Sequence, residues 1–165
     1  MGVNQPNLVG LHRRTRILKN MCFLLFAGTM KPLPKKKWEK DAPDIAVESL
    51  AQGHAPVKTH FTNPEVQYIG STSGCGCDFP NVTLQNGEWR IFEDTREDVA
   101  RDRYNQQALV NLLRATGEKM IELYGIWDGD FAKPPQARED IPLTSLLDGD
   151  FSFKEQGFYR VDIEE

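Results

Sequence analysis

The chain has few residues of the kinds that build disulfide frameworks and metal sites. Its 165 residues include three cysteines and three histidines. Three cysteines cannot form a disulfide framework without leaving one thiol unpaired, and a low cysteine content is typical of a reducing compartment. We therefore expect a cytoplasmic protein. It needs no cross-links to fold, because a chain of this length buries about two thirds of its unfolded surface.

The sequence also lacks a long hydrophobic run. The apolar segment Met21–Ala27 is far shorter than the roughly 20 residues that span a bilayer. Basic residues precede it, but no A-x-A-like cleavage site follows, so the pattern does not predict a signal peptide. A short apolar run of this kind predicts a buried first strand. Residues 1–20 are expected to be a disordered extension, and either Met1 or Met21 could be the natural start.

Basic residues are not in excess. The chain has 20 lysines and arginines against 24 aspartates and glutamates, a net charge of −4. Nucleic-acid-binding surfaces usually carry clustered basic residues, and the one basic cluster here, in the proline-containing segment Lys31–Trp38, has no second cluster to join. We expect neither a nucleic acid nor a membrane as the partner. An unidentified protein or small molecule remains the expected partner.

Established catalytic and cofactor motifs are absent as well. The sequence contains no P-loop, no Rossmann-type glycine pattern and no G-x-S-x-G nucleophile motif. No catalytic residue is predicted. The sequence therefore favours a non-enzymatic binding or interaction module, with a metal or thiol-redox site as the alternative.

The apolar pattern predicts a single α+β domain over residues 21–165. Strands are expected near residues 45–50, 65–70 and 120–127, and a short helix is expected to begin at Pro56. Asn86-Gly87 predicts a type I′ hairpin between residues 82–85 and 88–92. A second hairpin is expected between residues 151–154 and 158–163. The resulting sheet should be mainly antiparallel or mixed.

One long helix is predicted at residues 95–116 and should pack on one face of this sheet. Asp94 or Thr95 can cap its start, and Gly117 can end it. Its core-facing stripe is expected to contain small and apolar side chains at helical spacing, widened by two further leucines. These residues are Tyr104, Ala108, Leu112 and Ala115, with Leu109 and Leu113.

The chemically distinctive segment is the glycine-rich loop GSTSGCGCD at residues 70–78. Its two thiols, Cys75 and Cys77, could simply be buried as small apolar groups, since free cysteine is among the most buried residue types. They could also bind a metal, because thiolates are soft ligands for zinc and imidazoles complete such sites. In that case His54 and His60 are the expected additional ligands, and Cys22 could replace one of them.

Two further interpretations of the loop stay open. Cys75 and Cys77 could form a labile disulfide, although the spacing of one residue is not the usual redox spacing and Asp78 would raise the thiol pKa. Glycine-rich turns can also bind an anion through backbone N–H groups, but this loop contains no basic residue.

A short motif, Asp-Gly-Asp-Phe, occurs twice, at residues 128–131 and 148–151. Paired aspartates are hard oxygen ligands for Ca²⁺ or Mg²⁺, but the longer calcium-loop pattern is absent from both copies. Asp-Gly is a strong turn dipeptide. We therefore predict that each copy forms a turn next to a strand.

Two resemblances add to these patterns. Cys22 after Met21 is similar to the start of N-terminal-cysteine amidohydrolases, which would make Cys22 a nucleophile if translation began at Met21. The segments CFLLFAGT, GCGCDFP and LYGIWDGDF resemble an uncharacterised family of bacterial proteins. That resemblance covers residues 21–163 and implies no activity.

Overall fold

The computed structural model describes residues 22–90 and 99–164, which form a mixed α+β fold. Its elements in chain order are the strands β1 (Phe23–Thr29), β2 (Ala46–Ser49), β3 (Glu65–Gly70), β4 (Asn81–Gln85), β5 (Glu88–Arg90), β6 (Met120–Trp127), β7 (Ala137–Pro142), β8 (Phe153–Lys154) and β9 (Gly157–Asp162), the helix α1 (Val99–Arg114) between β5 and β6, and the 3₁₀ helices Gln52–His60 and Leu143–Leu147. No helix in the described residues is long and apolar enough to cross a bilayer.

The larger of two sheets has the strand order β2-β3-β1-β6-β9-β7. Its neighbouring strands are antiparallel except for β7, which pairs with β9 in parallel. The smaller sheet has the order β5-β4-β8, with β8 parallel to β4. The predicted strands near residues 45–50, 65–70 and 120–127 are confirmed as β2, β3 and β6. The prediction of a mixed sheet is therefore confirmed.

Both faces of the larger sheet are covered at its centre. All seven residues of β1 are buried, and side chains along a strand alternate between the two faces. On one face, Phe23 and Leu25 of β1 pack in a cluster with Leu109 and Leu113 of α1. On the other face, Phe26 packs with residues that include Val57 of the first 3₁₀ helix and Phe131. The long helix thus packs on one face of the sheet, as predicted.

The turn at Asn86-Gly87 is confirmed. The φ angles of Asn86 and Gly87 are 51° and 79°, as a type I′ turn requires, and β4 and β5 pair across it. The predicted second hairpin is wrong, because β8 pairs with β4 while β9 pairs with β6 and β7. The backbone N–H of Phe153 donates to the carbonyl of Pro80 at 2.7 Å, so β8 is satisfied by a strand far away in the sequence.

The described part of α1 ends as predicted, with Gly117 at a φ of 68°. Its predicted start and the caps Asp94 and Thr95 lie outside the described residues. The predicted core-facing stripe is wrong at Tyr104 and Ala115, which are both exposed. The Tyr104 hydroxyl instead donates a hydrogen bond to Asp44 at 3.0 Å.

The short helix predicted from Pro56 is a 3₁₀ helix that begins earlier, at Gln52. Pro56 therefore lies inside it rather than at its first position. The basic segment Lys31–Trp38 is an exposed loop apart from Leu33 and Trp38, as a solvated loop should be.

Candidate metal centre

The three cysteines meet at one end of the larger sheet. Because β1 is antiparallel to both β3 and β6, its first residue lies beside the last residues of those two strands. Cys22 directly precedes β1, and the loop that carries Cys75 and Cys77 follows β3. Residues far apart in the sequence therefore converge at this end of the sheet.

The side chains of the three cysteines form a compact cluster. The sulfur atoms of Cys22, Cys75 and Cys77 all lie within 4.8 Å of one another, and all three are free thiols. Cys77 is exposed, while Cys22 and Cys75 are partly buried. Neither Cys75 nor Cys77 is therefore a fully buried apolar group. Three sulfur atoms this close together could hold a metal ion.

The glycine between the two cysteines allows the loop to approach β1. The N–H of Gly76 donates a hydrogen bond of 2.8 Å to the carbonyl oxygen of Phe23. A Cβ atom on residue 76 would lie 2.7 Å from that oxygen, which is closer than such atoms approach. Position 74 also favours glycine, because its φ is 88° and an added Cβ would lie 3.2 Å from the ring of Trp38.

Several hydrogen bonds fix the rest of the loop. The N–H of Ser71 donates to the carbonyl of Cys75 at 2.6 Å, and the Ser71 hydroxyl donates to the same oxygen. The indole N–H of Trp38 donates to the carbonyl of Thr72 at 3.0 Å. Tyr68 donates through its hydroxyl to the carbonyl of Gly74 at 2.9 Å. The backbone that carries the cysteines is therefore held by side chains on two other segments.

The helix α1 also holds the loop. The buried Asn105 accepts a hydrogen bond of 2.9 Å from the N–H of Thr72 and donates one of 3.0 Å to the Thr72 hydroxyl. Asp78 lies 3.4 Å from Arg101 and accepts a hydrogen bond from Thr72. The Asp78 carboxylate is thus engaged by the helix and the loop. These contacts do not test the prediction that Asp78 raises the pKa values of the thiols.

Hydrogen bonds within the cluster separate the pKa values of the thiols. The thiol of Cys77 donates to Cys75, which, with contributions from Ser73 and the N–H of Cys77, lowers the pKa of Cys75 to about 5 against the effect of burial. The same hydrogen bond raises the pKa of Cys77, and burial raises the pKa of Cys22. Cys75 is therefore the thiolate of the cluster near neutral pH, and thiolate is the form that binds metals.

Backbone N–H groups point at two of the sulfur atoms. The N–H of Phe23 donates to the sulfur of Cys77, and the N–H of Cys77 donates to the sulfur of Cys75, each at 3.4 Å. Hydrogen bonds of this kind stabilise negative charge on sulfur. The arrangement suits thiolates, whether they bind a metal or act as nucleophiles.

The two histidines lie apart from the cysteine cluster. The ring of His54 packs 4.7 Å from the ring of Phe131 and 5.6 Å from that of Phe26. His60 forms a hydrogen bond of 2.9 Å through Nε2 with the carbonyl of Phe131, and its ring packs against Tyr124. Within residues 22–90 and 99–164, the group of mutually close metal-ligating side chains contains the three cysteines and neither histidine. The structure thus brings Cys22 to the predicted pair but packs His54 and His60 among aromatic rings.

The first copy of the Asp-Gly-Asp-Phe motif borders the same site. It follows β6 directly, and the N–H of Asp128 donates to the carbonyl of Cys22 at 2.8 Å. Asp130 caps the following turn by accepting a hydrogen bond from the N–H of Ala132. In the second copy the N–H of Phe151 donates to the carbonyl of Asp148, forming a turn before β8. The second copy is therefore a turn shortly before β8, as predicted. The first copy bends directly after β6, and its hydrogen-bonded turn begins only at Asp130, whose carbonyl accepts from the N–H of Lys133 at 3.2 Å.

No protein-family model, curated protein or solved structure matches this chain. The function is therefore inferred from the geometry of the site.

Sequence reasoning missed the residues that hold the site together. No sequence pattern distinguishes Asn105 from other polar residues of the helix. Trp38 ends the basic segment, whose lysines predict a solvated loop and say nothing of a contact with the cysteine loop. A signal for Asp128 was present in the repeated motif, but its proximity to Cys22 follows from the pairing of β1 with β6.

Proposed function

We propose that the protein is a non-enzymatic metal-binding domain that holds a thiophilic ion, with zinc as the first candidate, through Cys22, Cys75 and Cys77. The convergence of the three sulfur atoms within 4.8 Å carries this proposal. Three sulfur atoms bound to one zinc ion at roughly 2.3 Å are about 3.8 Å apart in tetrahedral geometry. The sulfur atoms thus need to move by no more than about 1 Å relative to one another to share an ion.

Other features of the cluster support the same function. Cys75 already favours the thiolate form, and its low pKa reduces the proton release that metal binding requires there. The exposed Cys77 gives an ion a route to the site from solvent. A reducing cytoplasm would keep all three thiols available.

Thiol-disulfide exchange is the second candidate, favoured by the thiolate character of Cys75. In that reaction the Cys75 thiolate attacks an external disulfide and releases one of its sulfur atoms as a thiolate. A neighbouring thiol, Cys22 or Cys77, then loses its proton and displaces the second external thiolate, leaving a disulfide in the protein. The external disulfide is the oxidant, and it leaves as two thiols once protonated.

The interaction module favoured by the sequence stays a prediction. Large exposed apolar side chains in the described residues belong to different elements; they are Met30, Leu84, Tyr104 and Leu147. Exposed apolar side chains are common on protein surfaces, so these four give the interaction module less support than the cysteine cluster gives metal binding.

Metal binding is tested on protein purified and kept reduced under anaerobic conditions. Zinc affinity is measured by competition with a chromophoric chelator, and bound metal is quantified by elemental analysis. We expect one zinc ion per chain. Separate Cys22→Ser, Cys75→Ser and Cys77→Ser changes should each weaken binding by at least about tenfold, because each removes a direct ligand.

His60→Asn is the matched control, since it replaces a potential ligand that lies outside the cluster and retains a side-chain hydrogen-bonding group. It should bind zinc like the wild-type protein. Wild-type protein without stoichiometric zinc, or cysteine variants with unchanged affinity, would contradict the proposal. A reversible disulfide in glutathione buffers together with no metal binding would favour thiol exchange instead.

A further inference from the structure

Asp128 is the acidic residue opposite Cys22. The antiparallel pairing of β1 and β6 ends with Phe23 opposite Trp127, so the next pair along the two chains is Cys22 and Asp128. A hydrogen bond of 2.8 Å from the N–H of Asp128 to the carbonyl of Cys22 continues the pairing by this one position.

Residues directly opposite each other in an antiparallel pair project their side chains to the same face of the sheet. Their Cβ atoms are then roughly 4.5–5.5 Å apart. The carboxylate of Asp128 therefore projects to the same face as the Cys22 thiol. It lies outside the group of ligand atoms within 4.8 Å of one another, so it has to turn toward the cluster to reach an ion held there. The effect of the Asp128 charge on the pKa of Cys22, which it raises in addition to the effects of burial and of Cys75, is consistent with this proximity.

The other acidic residues near the site are engaged elsewhere. Asp78 is bound by Arg101 and Thr72, and Asp130 caps the turn at Ala132. The Asp128 side chain is exposed and accepts no hydrogen bond from any described residue, so it can turn toward the cluster without breaking a contact there.

We infer that the Asp128 carboxylate is the fourth ligand of the ion bound by Cys22, Cys75 and Cys77, completing a site of three sulfur atoms and one oxygen. This inference rests on the proposed function. Zinc is almost always four-coordinate in structural sites and accepts carboxylate oxygen, so three thiolates leave one position that an aspartate fills. With all four ligands ionised, the site carries the same charge as a structural site of four cysteines.

A carboxylate ligand also makes Asp128 the residue that determines metal specificity. Thiolates bind both zinc and Cu(I), whereas a hard oxygen ligand suits zinc and adds little for the softer Cu(I) ion. The cluster alone does not discriminate strongly between the two ions. Asp128 should therefore contribute to the affinity for zinc and not to the affinity for Cu(I).

The test measures zinc and Cu(I) affinities by competition titration in the full chain with Asp128→Asn. Asp148→Asn is the matched control, because Asp148 is the first aspartate of the second Asp-Gly-Asp-Phe copy. We expect Asp128→Asn to weaken zinc binding by about 10- to 100-fold and to leave Cu(I) binding unchanged. Asp148→Asn should change neither affinity. With Co²⁺ as the probe, Asp128→Asn should shift the ligand-field bands and retain the thiolate charge-transfer band.

The remaining outcomes separate the two proposals. Equal zinc affinities for wild-type and Asp128→Asn protein would overturn the fourth ligand and leave the three-cysteine site in place. Equal losses for zinc and Cu(I) would also overturn it, because they indicate distortion of the cluster rather than loss of an oxygen ligand. Wild-type protein that binds neither ion would overturn the proposed function and this inference together.

Discussion

The N–H of Gly76 donates a hydrogen bond of 2.8 Å to the carbonyl oxygen of Phe23. This contact places the loop after β3 against the first residue of β1. Cys77, the next residue in the loop, also lies against β1, and its sulfur accepts a hydrogen bond of 3.4 Å from the N–H of Phe23. Cys22 is the residue before Phe23, so this contact brings the pair in the loop to the third cysteine.

Gly76→Ala should disrupt the cluster, because the added Cβ would lie 2.7 Å from the carbonyl oxygen of Phe23. We expect a loss of about 1–3 kcal/mol in the free energy of unfolding, measured with urea, and weaker zinc binding. Gly53→Ala is the control, since a Cβ there meets nothing within 4 Å. Similar losses for Gly76→Ala and Gly53→Ala would contradict the argument from close approach.

Asn105→Ala should loosen the loop from the helix side. The change leaves the N–H of the partly buried Thr72 without its acceptor, which costs about 1 kcal/mol or more. Zinc affinity should fall as well, because the loop backbone is then less well fixed. Gln107→Ala on the same helix removes only an exposed hydrogen bond to Asn111 and serves as the control. Unfolding in urea and zinc competition distinguish the two variants, and equal behaviour would argue against a positioning role for Asn105.

Local signals predicted much of the fold. The turn at Asn86-Gly87 was predictable because two positive φ angles are a property of those residues themselves. The second hairpin was wrong because β8 takes its hydrogen bonds from β4, and no local pattern encodes that distant pairing. Tyr104 was assigned to the core by its spacing, but its hydroxyl finds an acceptor in Asp44 at the surface.

The site was predictable in its chemistry but not in its membership. Cys75 and Cys77 were identified because two thiols one residue apart are unusual. The sequence predicts Cys22 only as an alternative ligand, since its place in the cluster depends on the order of β3, β1 and β6. His54 was a reasonable ligand by residue type, and its packing against Phe131 is a long-range contact that the sequence does not specify.

Alkylation of the metal-free, reduced protein should depend on pH in a manner set by Cys75. Only the thiolate reacts, and the pKa of Cys75 is lowered to about 5, chiefly by the hydrogen bond from Cys77. Carbamidomethylation of Cys75 should therefore stay fast as the pH falls from 7 to 6 and should slow as the pH passes through about 5. Peptide mass spectrometry after short exposure to iodoacetamide measures the modification of each cysteine.

Cys77→Ala removes the main donor to Cys75, so the pKa of Cys75 should rise toward its ordinary value. The rate of Cys75 modification at pH 6 should then fall by about tenfold or more, since about one pKa unit changes the thiolate fraction tenfold below the pKa. Cys77→Ser is the conservative comparison, because its hydroxyl can still donate, and it should retain most of the rate. Equal rates in wild-type and Cys77→Ala protein would show that this hydrogen bond does not set the reactivity.

Glu122 provides a way to separate stability from metal binding. It is 4% exposed and accepts hydrogen bonds of 2.9 Å from the N–H groups of Thr62 and Asn63, together with one from the Thr62 hydroxyl. Hydrogen bonds to charged groups contribute about 1.5–3 kcal/mol each, and an unsatisfied buried donor is costly. Glu122→Ala should therefore lower the free energy of unfolding by about 3 kcal/mol or more, measured with urea. Glu122→Gln retains an oxygen acceptor and should lose less.

Neither Glu122 variant should change zinc stoichiometry while the protein is folded. Glu122 lies near the start of β6 and Asp128 follows its end, so the two are separated by about 20 Å of extended chain. Zinc competition is performed at a temperature where circular dichroism shows both variants to be folded. A folded Glu122→Gln protein that bound zinc poorly would mean that the opposite end of β6 contributes to the site. The three cysteines would then not be sufficient to define it.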